Sequence, residues 1–401
     1  MIHLALWLCV SFLGDWTEFR GSKADAKSTN ASTPLVWSDT ENVAWKAELP
    51  GLGWSSPVID DGVIYLTTAV TIGSEVSLRA LAVDSASGKT LWDREIRKLE
   101  NIPAIHSKNS HASPTPIIAG DAIYVHFGAM GTARLNKQGE VQWSNTELDY
   151  PHVHGCGGSP FLFDNKLFII CDGSTSPFVT ALDATNGKSL WKRNRSLKGP
   201  ISHSFATPIV TTVVGQPQLF APGPDHFAAY DVTSGEEIWR VRAPGWSVVP
   251  QPVIGHGMVF YNHDFDHPEL LAVKLGGKGD VTDSHIVWRI DRGAPSTPTP
   301  LLVGDELYFV SDKGIASCVD AKTGKRHWME RLGGNYSASP VFANDLVLFL
   351  SEEGRAHWVK ASTTFESVQQ NQVTGRTFAT PALVDNTIYL RTDKALLKIS
   401  K

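Results

Sequence analysis

Apolar and polar positions along this chain change places every few residues, and the changes themselves recur. Ser or Thr followed by Pro opens an apolar stretch, a short turn follows, and an apolar-aromatic stretch comes next. The phrase reads "SSPVIDDGVIYL" at its first occurrence, "PTPLLVGDELYFV" further on and "ATPALVDNTIYL" at the last. Eight prolines mark it: Pro57, Pro116, Pro160, Pro208, Pro252, Pro300, Pro340 and Pro381, spaced by 59, 44, 48, 44, 48, 40 and 41 residues. Apolar runs this short, bounded by Asp, Asn and Gly turns, predict strands rather than helices. A period of about 40 to 50 residues holding four such strands is that of a propeller blade.

A second phrase fills the other half of the unit. "ALDATNGKSLW" ends at Trp191, and close copies end at Trp92, Trp239 and Trp328. Each copy has an Asp eight residues before the Trp (Asp84, Asp183, Asp231, Asp320) and a Gly four before it (Gly88, Gly187, Gly235, Gly324). The pattern predicts a hairpin between the third and fourth strands, its Asp bonding backbone amides and its Gly supplying a positive φ. The Trp is expected to pack between neighbouring blades. Trp143 and Trp288 occupy the same place in less regular copies, and a degenerate copy follows Phe365. The eighth unit, ending "ALLKIS", has only three strands, while "NVAWKAEL" with Trp45 stands unassigned near the other end. The expected fold is therefore all-β: an eight-bladed propeller of four-stranded antiparallel blades, closed by an N-terminal strand joining the last blade. Residues 42–401 read as one domain, with a shortened hairpin in blade 2 and a lengthened one in blade 5.

Composition narrows the class. The chain has 401 residues, 42% of them hydrophobic, a net charge of -5 and no run of like charges. That balance speaks against a nucleic-acid partner. Residues 1–14 hold an apolar run from Leu4 to Leu13, too short to span a bilayer and similar to a secretory signal segment. Residues 15–41 are a lead-in. Export to the periplasm or outside the cell is the expectation, with envelope association and a monomeric state. No C-x-x-C spacing exists, which removes a zinc ribbon or a thioredoxin-like pair. Cys156 and Cys171 flank a turn; they form a disulfide in an oxidising compartment or remain two buried thiols.

The A-x-D-x-x-x-G-x-x-x-W phrase and the Ser/Thr-Pro strand resemble the PQQ-like, quinoprotein-type β-propeller repeat over about residues 42–401. "DWTEFRG", residues 15–21, resembles the opening of bacterial exported proteins of this class. The resemblance implies an eight-bladed ring and leaves the function open, because the repeat serves both alcohol and sugar dehydrogenases and non-catalytic scaffolds. The alcohol-type dehydrogenases it resembles are longer, with two adjacent cysteines against PQQ and a Glu/Asn/Asp calcium set. This chain has no adjacent cysteines.

Segments leading into the first strands converge on one face of a propeller. They carry His106, Asn109 and His111, then His152 and His154, then His203 and Trp246, and finally Asn335, Tyr336 and Arg376. Three successive blades thus direct an imidazole at one mouth, with Arg376 opposite for an anionic group. A ligand or metal pocket is one reading; a polar, wet channel lining is the plainer one. A second set, His263, Asp264, Asp266 and His267, has divalent-cation donors, although alternating residues on a short hairpin point to opposite faces. The sequence lacks a nucleophile elbow, H-E-x-x-H and a phosphate-binding glycine loop. The expected function is a non-catalytic exported module binding a protein or carbohydrate partner, with no cofactor; the alternative is a PQQ- and calcium-dependent oxidoreductase acting on alcohols or sugars.

Overall fold

The structure, a computed structural model, describes residues 15–28, 33–101, 103–174, 176–195 and 203–401. The segment expected to direct export, residues 1–14, lies outside them. Eight antiparallel sheets follow one another along the chain. Blade 1 is built from Val58–Asp60, Val63–Ile72, Glu75–Asp84 and Thr90–Leu99. First strands of adjacent blades touch one another, which places them around a central axis. Second and third strands carry the long apolar runs because a neighbouring blade covers each face; Leu346–Leu350 is buried at every position. Outer strands are buried on one side only: of Ser189–Asn194, only Trp191 is buried. The apolar clusters lie between blades, as where Phe227 of blade 4 packs on Tyr261 of blade 5 with ring centroids 4.6 Å apart.

The ring closes as the missing strand predicts. Val43–Glu48 pairs antiparallel with Ala395–Ile399, setting Trp45 opposite Lys398 and Glu48 opposite Ala395. The last blade is thus completed from the N-terminal side, and no blade is left with three strands.

The repeated Trp has a sharper role than packing. Five of the seven repeat indoles lie on the glycine turn of the next blade: Trp45 on Gly88, Trp92 on Gly139, Trp143 on Gly187, Trp191 on Gly235 and Trp288 on Gly324. A Cβ on any of these glycines would come within 2.5–2.8 Å of the indole. The turn also needs the positive φ, near +72° at Gly88. The indole N–H donates to a backbone carbonyl of the same turn, as from Trp92 to Lys137 (2.9 Å) and Trp288 to Ala321 (3.0 Å). The Asp holds the turn in shape: Asp183 accepts the Thr185 amide at 2.7 Å, and the Thr185 hydroxyl and amide hold its carboxyl below the usual range. The Asp-to-Trp phrase therefore encodes both sides of a blade-to-blade dock.

Departures have local causes. In blade 5 the lengthened hairpin adds Gly279–Asp280 in parallel to the outer strand of blade 4, followed by a one-turn helix, Thr282–His285. The glycine turn is gone there, so Trp239 of blade 4 donates to Gln218 Oε1 instead (3.0 Å). In blade 7 Phe365 stands edge-on to Trp328 at 5.2 Å ahead of the outer strand Ser367–Gln372.

The lead-in does more than precede the ring. Trp16 and Ile59 exchange backbone bonds of 2.9 and 2.8 Å, Thr17 accepts from Ile118, and Arg20 Nη2 donates to the Pro300 carbonyl. Ala26 and Ser28 bond Phe342, and Ala24 packs among Ile209 and Val213. Residues 16–28 thus touch the first strands of blades 1, 2, 4 and 7 and the start of that of blade 6, a plug set across the channel. Burial alone pushes the Glu18 carboxyl up to about 7.

Two cysteines do not pair. Cys156 and Cys171 are free and buried. Cys156 is not on a strand: it lies in the segment before Phe161–Phe163, with its thiol against the His111 carbonyl at 3.6 Å, while Cys171 ends Lys166–Cys171. Burial pushes the Cys156 thiol up to about 12 and the Cys171 thiol well above its ordinary range.

Candidate functional site

Opposite the plug, the ring opens into a cavity of about 430 Å³, with Phe19 of the plug at its base. Its walls follow from strand parity. The residue just before each repeat proline and the residue two earlier point the same way. All eight positions three before a proline line the cavity. Trp54, Phe205, Val249 and Phe378 give it apolar faces; Ser113, Gly157, Thr297 and Ser337 are small and polar. Seven of the eight residues immediately before a proline form the tier below, all Ser or Thr, the exception being Gln251.

That lower tier is a hydrogen-bonded belt. The amide of Ser56 donates to Thr115 Oγ1 (3.0 Å), Thr115 to Ser159 (2.9 Å) and Ser159 to Thr207 (2.9 Å). After the break at Gln251 the belt resumes, with Gln251 N donating to Thr299, Thr299 to Ser339 and Ser339 to Thr380, each at 3.0 Å. The Ser/Thr of the Ser/Thr-Pro phrase is thus the acceptor that ties one blade's first strand to the next.

The sequence-predicted mouth residues separate into three groups. His106, Asn109, His154 and Trp246 line the cavity. Asn109 Nδ2 donates to the His154 carbonyl at 2.9 Å, holding the segment leading into blade 2 against blade 3. His106 and His154 rings meet edge-on at 5.6 Å, and His154 meets His203 at 5.4 Å. Burial, and then the neighbouring His106, hold His154 below the usual imidazole range. His111 and His203 are buried behind the wall; burial holds both below the usual imidazole range, with His154 adding to the effect at His203. His152 is turned inward, its Nε2 accepting the Ala129 amide, and burial lowers it to about 4. Tyr336 belongs to the core, Asn335 is exposed and bonded to Glu353, and Arg376 sits on the rim over Trp54 at 5.5 Å with Asp393 at 3.6 Å. Of the three imidazoles expected to converge from successive blades, His111, His154 and His203, only His154 lines the cavity, and His106 joins it there.

The candidate metal set does not assemble. His263 is buried and bonded to Glu269 at 2.9 Å, Asp266 lines the cavity and His267 is exposed. Among the described residues no three His, Cys, Asp or Glu are grouped to hold a metal. A calcium ion takes six to eight oxygens, several from carboxylates. The cavity offers one carboxylate, Asp266, and none of Cys156, Cys171 and Cys318 lines it. The residues present do not fit PQQ with calcium.

Sequence reasoning missed Trp54, Phe205 and Phe378 and the hydroxyl belt. Their signal was the odd offset before each proline. It also missed Lys108, which lines the mouth and pairs with Glu352 of blade 7 at 2.9 Å.

Known proteins place this architecture. The family model described as outer membrane protein assembly factor BamB (PQQ_2) matches residues 28–156 and 177–400. The quinohemoprotein alcohol dehydrogenase ADH IIB of Pseudomonas putida is 26% identical over 79% of this chain, which spans only 39% of that enzyme. BamB of Burkholderia pseudomallei is 24% identical over 49% of this chain and 46% of its own length. Among solved structures, BamB of Moraxella catarrhalis superposes with a TM-score of 0.65 at 12% identity, covering 90% of this chain and 97% of that one. The quinohemoprotein alcohol dehydrogenase of Comamonas testosteroni gives 0.69 at 12% identity, covering 96% and 80%. With its repeat, its closed eight-bladed ring and a family match over most of its length, the chain belongs to the PQQ-like β-propeller family.

Proposed function

We propose that the protein is an exported, non-catalytic binding module of the bacterial cell envelope that engages its partner through the open mouth of the ring. The observation that carries this reading is the chemistry of the cavity: aromatic faces above, neutral hydroxyls below, and neither a carboxylate cluster nor a thiol pair among its walls. Such a lining supplies shape and hydrogen bonds, and its titratable groups, which include His106, His154 and Asp266, form neither a thiol pair nor a carboxylate set. The plug favours binding over passage, since it shuts the far end of the channel. The envelope setting follows from the leader-like residues 1–14 and from relatives such as BamB, named as an outer membrane protein assembly factor.

A second reading, a quinoprotein dehydrogenase, is favoured by the 26% identity to ADH IIB over 79% of the chain. The mouth residues weigh against it.

The test is a thermal-shift panel of sugars, organic acids, nucleotides and divalent metals on the wild type and on His154→Ala/Trp246→Ala. Shifts given by the wild type and lost in the variant support the mouth as the site. Shifts that survive the double substitution overturn it.

A further inference from the structure

The hydroxyl belt has bonding capacity left over. Thr115, Ser159, Thr207, Thr299, Ser339 and Thr380 are each at most 5% exposed. Each oxygen accepts one backbone N–H from the preceding blade. A hydroxyl has one proton and two lone pairs, so each still has a proton to donate and a lone pair to accept with. Leaving such groups unused in a buried site is costly. The complementary ligand is one whose own polar groups both donate and accept; an anion only accepts and an ammonium only donates.

Charge selects in the same direction. Lys108 is paired with Glu352, burial and the neighbouring His106 disfavour a charge on His154, and Asp266 is the carboxylate on the cavity wall. A ligand with several negative charges would meet no unpaired cation on these walls. Above the belt, Trp54 and Phe378 pack at 4.6 Å on one side, while Phe205 and Trp246 stand on another wall. The cavity, about 430 Å³, is of ordinary small-ligand size. Flat apolar faces beside a ring of hydroxyls suit a molecule with an apolar C–H face and a hydroxylated edge.

We propose that the mouth binds a neutral saccharide, seated with a ring face against the aromatic walls and its hydroxyls in the Ser/Thr belt. This rests on the reading of the mouth as a binding site and adds the class of ligand. The experiment is isothermal titration of the full chain with maltose, cellobiose and the N-acetylglucosamine disaccharide. Glucuronate, inorganic phosphate and PQQ form the charged arm. Expected is saturable one-to-one binding of at least one neutral disaccharide, changing less than about twofold between 50 and 500 mM salt because no charge is paired. Trp54→Ala and, separately, Trp246→Ala should weaken it at least tenfold while circular dichroism stays that of the wild type. Two variants on different walls guard against one of them misfolding. Binding of only the charged arm overturns the saccharide and leaves the mouth as a site. Disaccharide binding that neither substitution weakens overturns the proposal by placing the sugar elsewhere. Silence of every probe at millimolar concentration overturns the saccharide too.

Discussion

The indole of Trp45 rests on Gly88, and its N–H donates to the Ser85 carbonyl at 3.1 Å. Trp45 is on the first strand of the chain, within the sheet of the last blade, and Gly88 is in the turn of blade 1. The seam where the ring closes is therefore fastened by the same dock that joins blades elsewhere. Arg391 adds to the seam, its buried guanidinium donating to the carbonyl and hydroxyl of Ser55.

Gly88→Ala tests the dock. The new methyl meets the indole at 2.7 Å and the backbone keeps its left-handed φ, so two penalties combine. The expected loss is about 2–4 kcal/mol by urea unfolding. Gly120→Ala, also left-handed (φ +58°) but with nothing within 4 Å, should lose only about 1 kcal/mol. Equal losses would show that backbone strain alone explains the conserved spacing within the repeat.

The belt predicts a contrast at Thr299. Thr299→Val keeps the shape and strands the Gln251 amide, which now donates to the threonine hydroxyl at 3.0 Å. The expected cost is about 1–3 kcal/mol. Thr299→Ser keeps the acceptor and should cost under about 1 kcal/mol. Chemical denaturation of both variants separates a bonded belt from mere packing.

Much of this is legible in the sequence alone. The strands could be read because burial on one or both faces leaves a period-two or unbroken apolar run, and the three-stranded last unit called for Val43–Glu48. The mouth was harder. His111 and His203 both stand five residues before their prolines, but the chain turns at His111 and parity no longer forecasts facing there. Trp54 and Phe378, two residues closer to their prolines, keep the parity of the strand that follows and do face the cavity. Of the two readings of Cys156 and Cys171, the structure has the buried thiols: a disulfide needed Cys156 on a strand, and that residue precedes one. The plug was out of reach: nothing local in residues 15–28 says which blades they will touch.

The plug gives a pH dependence with a definite sign. Glu18 has its pKa raised from 4.5 to about 7 in the fold. Below pH 4.5 both folded and unfolded states hold the proton, and the group is silent. From pH 4.5 to 7 the unfolded chain ionises first, so stability falls, reaching its full cost above pH 7. Glu18→Gln should therefore stabilise the protein by about 2–3 kcal/mol at pH 8 and leave it unchanged at pH 4. A gain of the same size at both pH values would contradict the assignment.

The buried thiols should be inert. With burial pushing Cys156 up to about 12 and Cys171 well above its ordinary range, little thiolate exists at pH 8. Mass spectrometry after iodoacetamide should show no alkylation of either residue in the native protein and full alkylation in denaturant. Dithiothreitol should leave Tm unchanged.

Whether the mouth binds without catalysing is decided most directly by one titration: the purified full chain with PQQ and calcium, followed by quinone absorbance and dye-linked oxidation of alcohols and sugars. The walls described here predict no stoichiometric cofactor after dialysis and no turnover above the protein-free control. One equivalent of retained quinone with substrate-dependent dye reduction would contradict the account and make the protein a quinoprotein dehydrogenase.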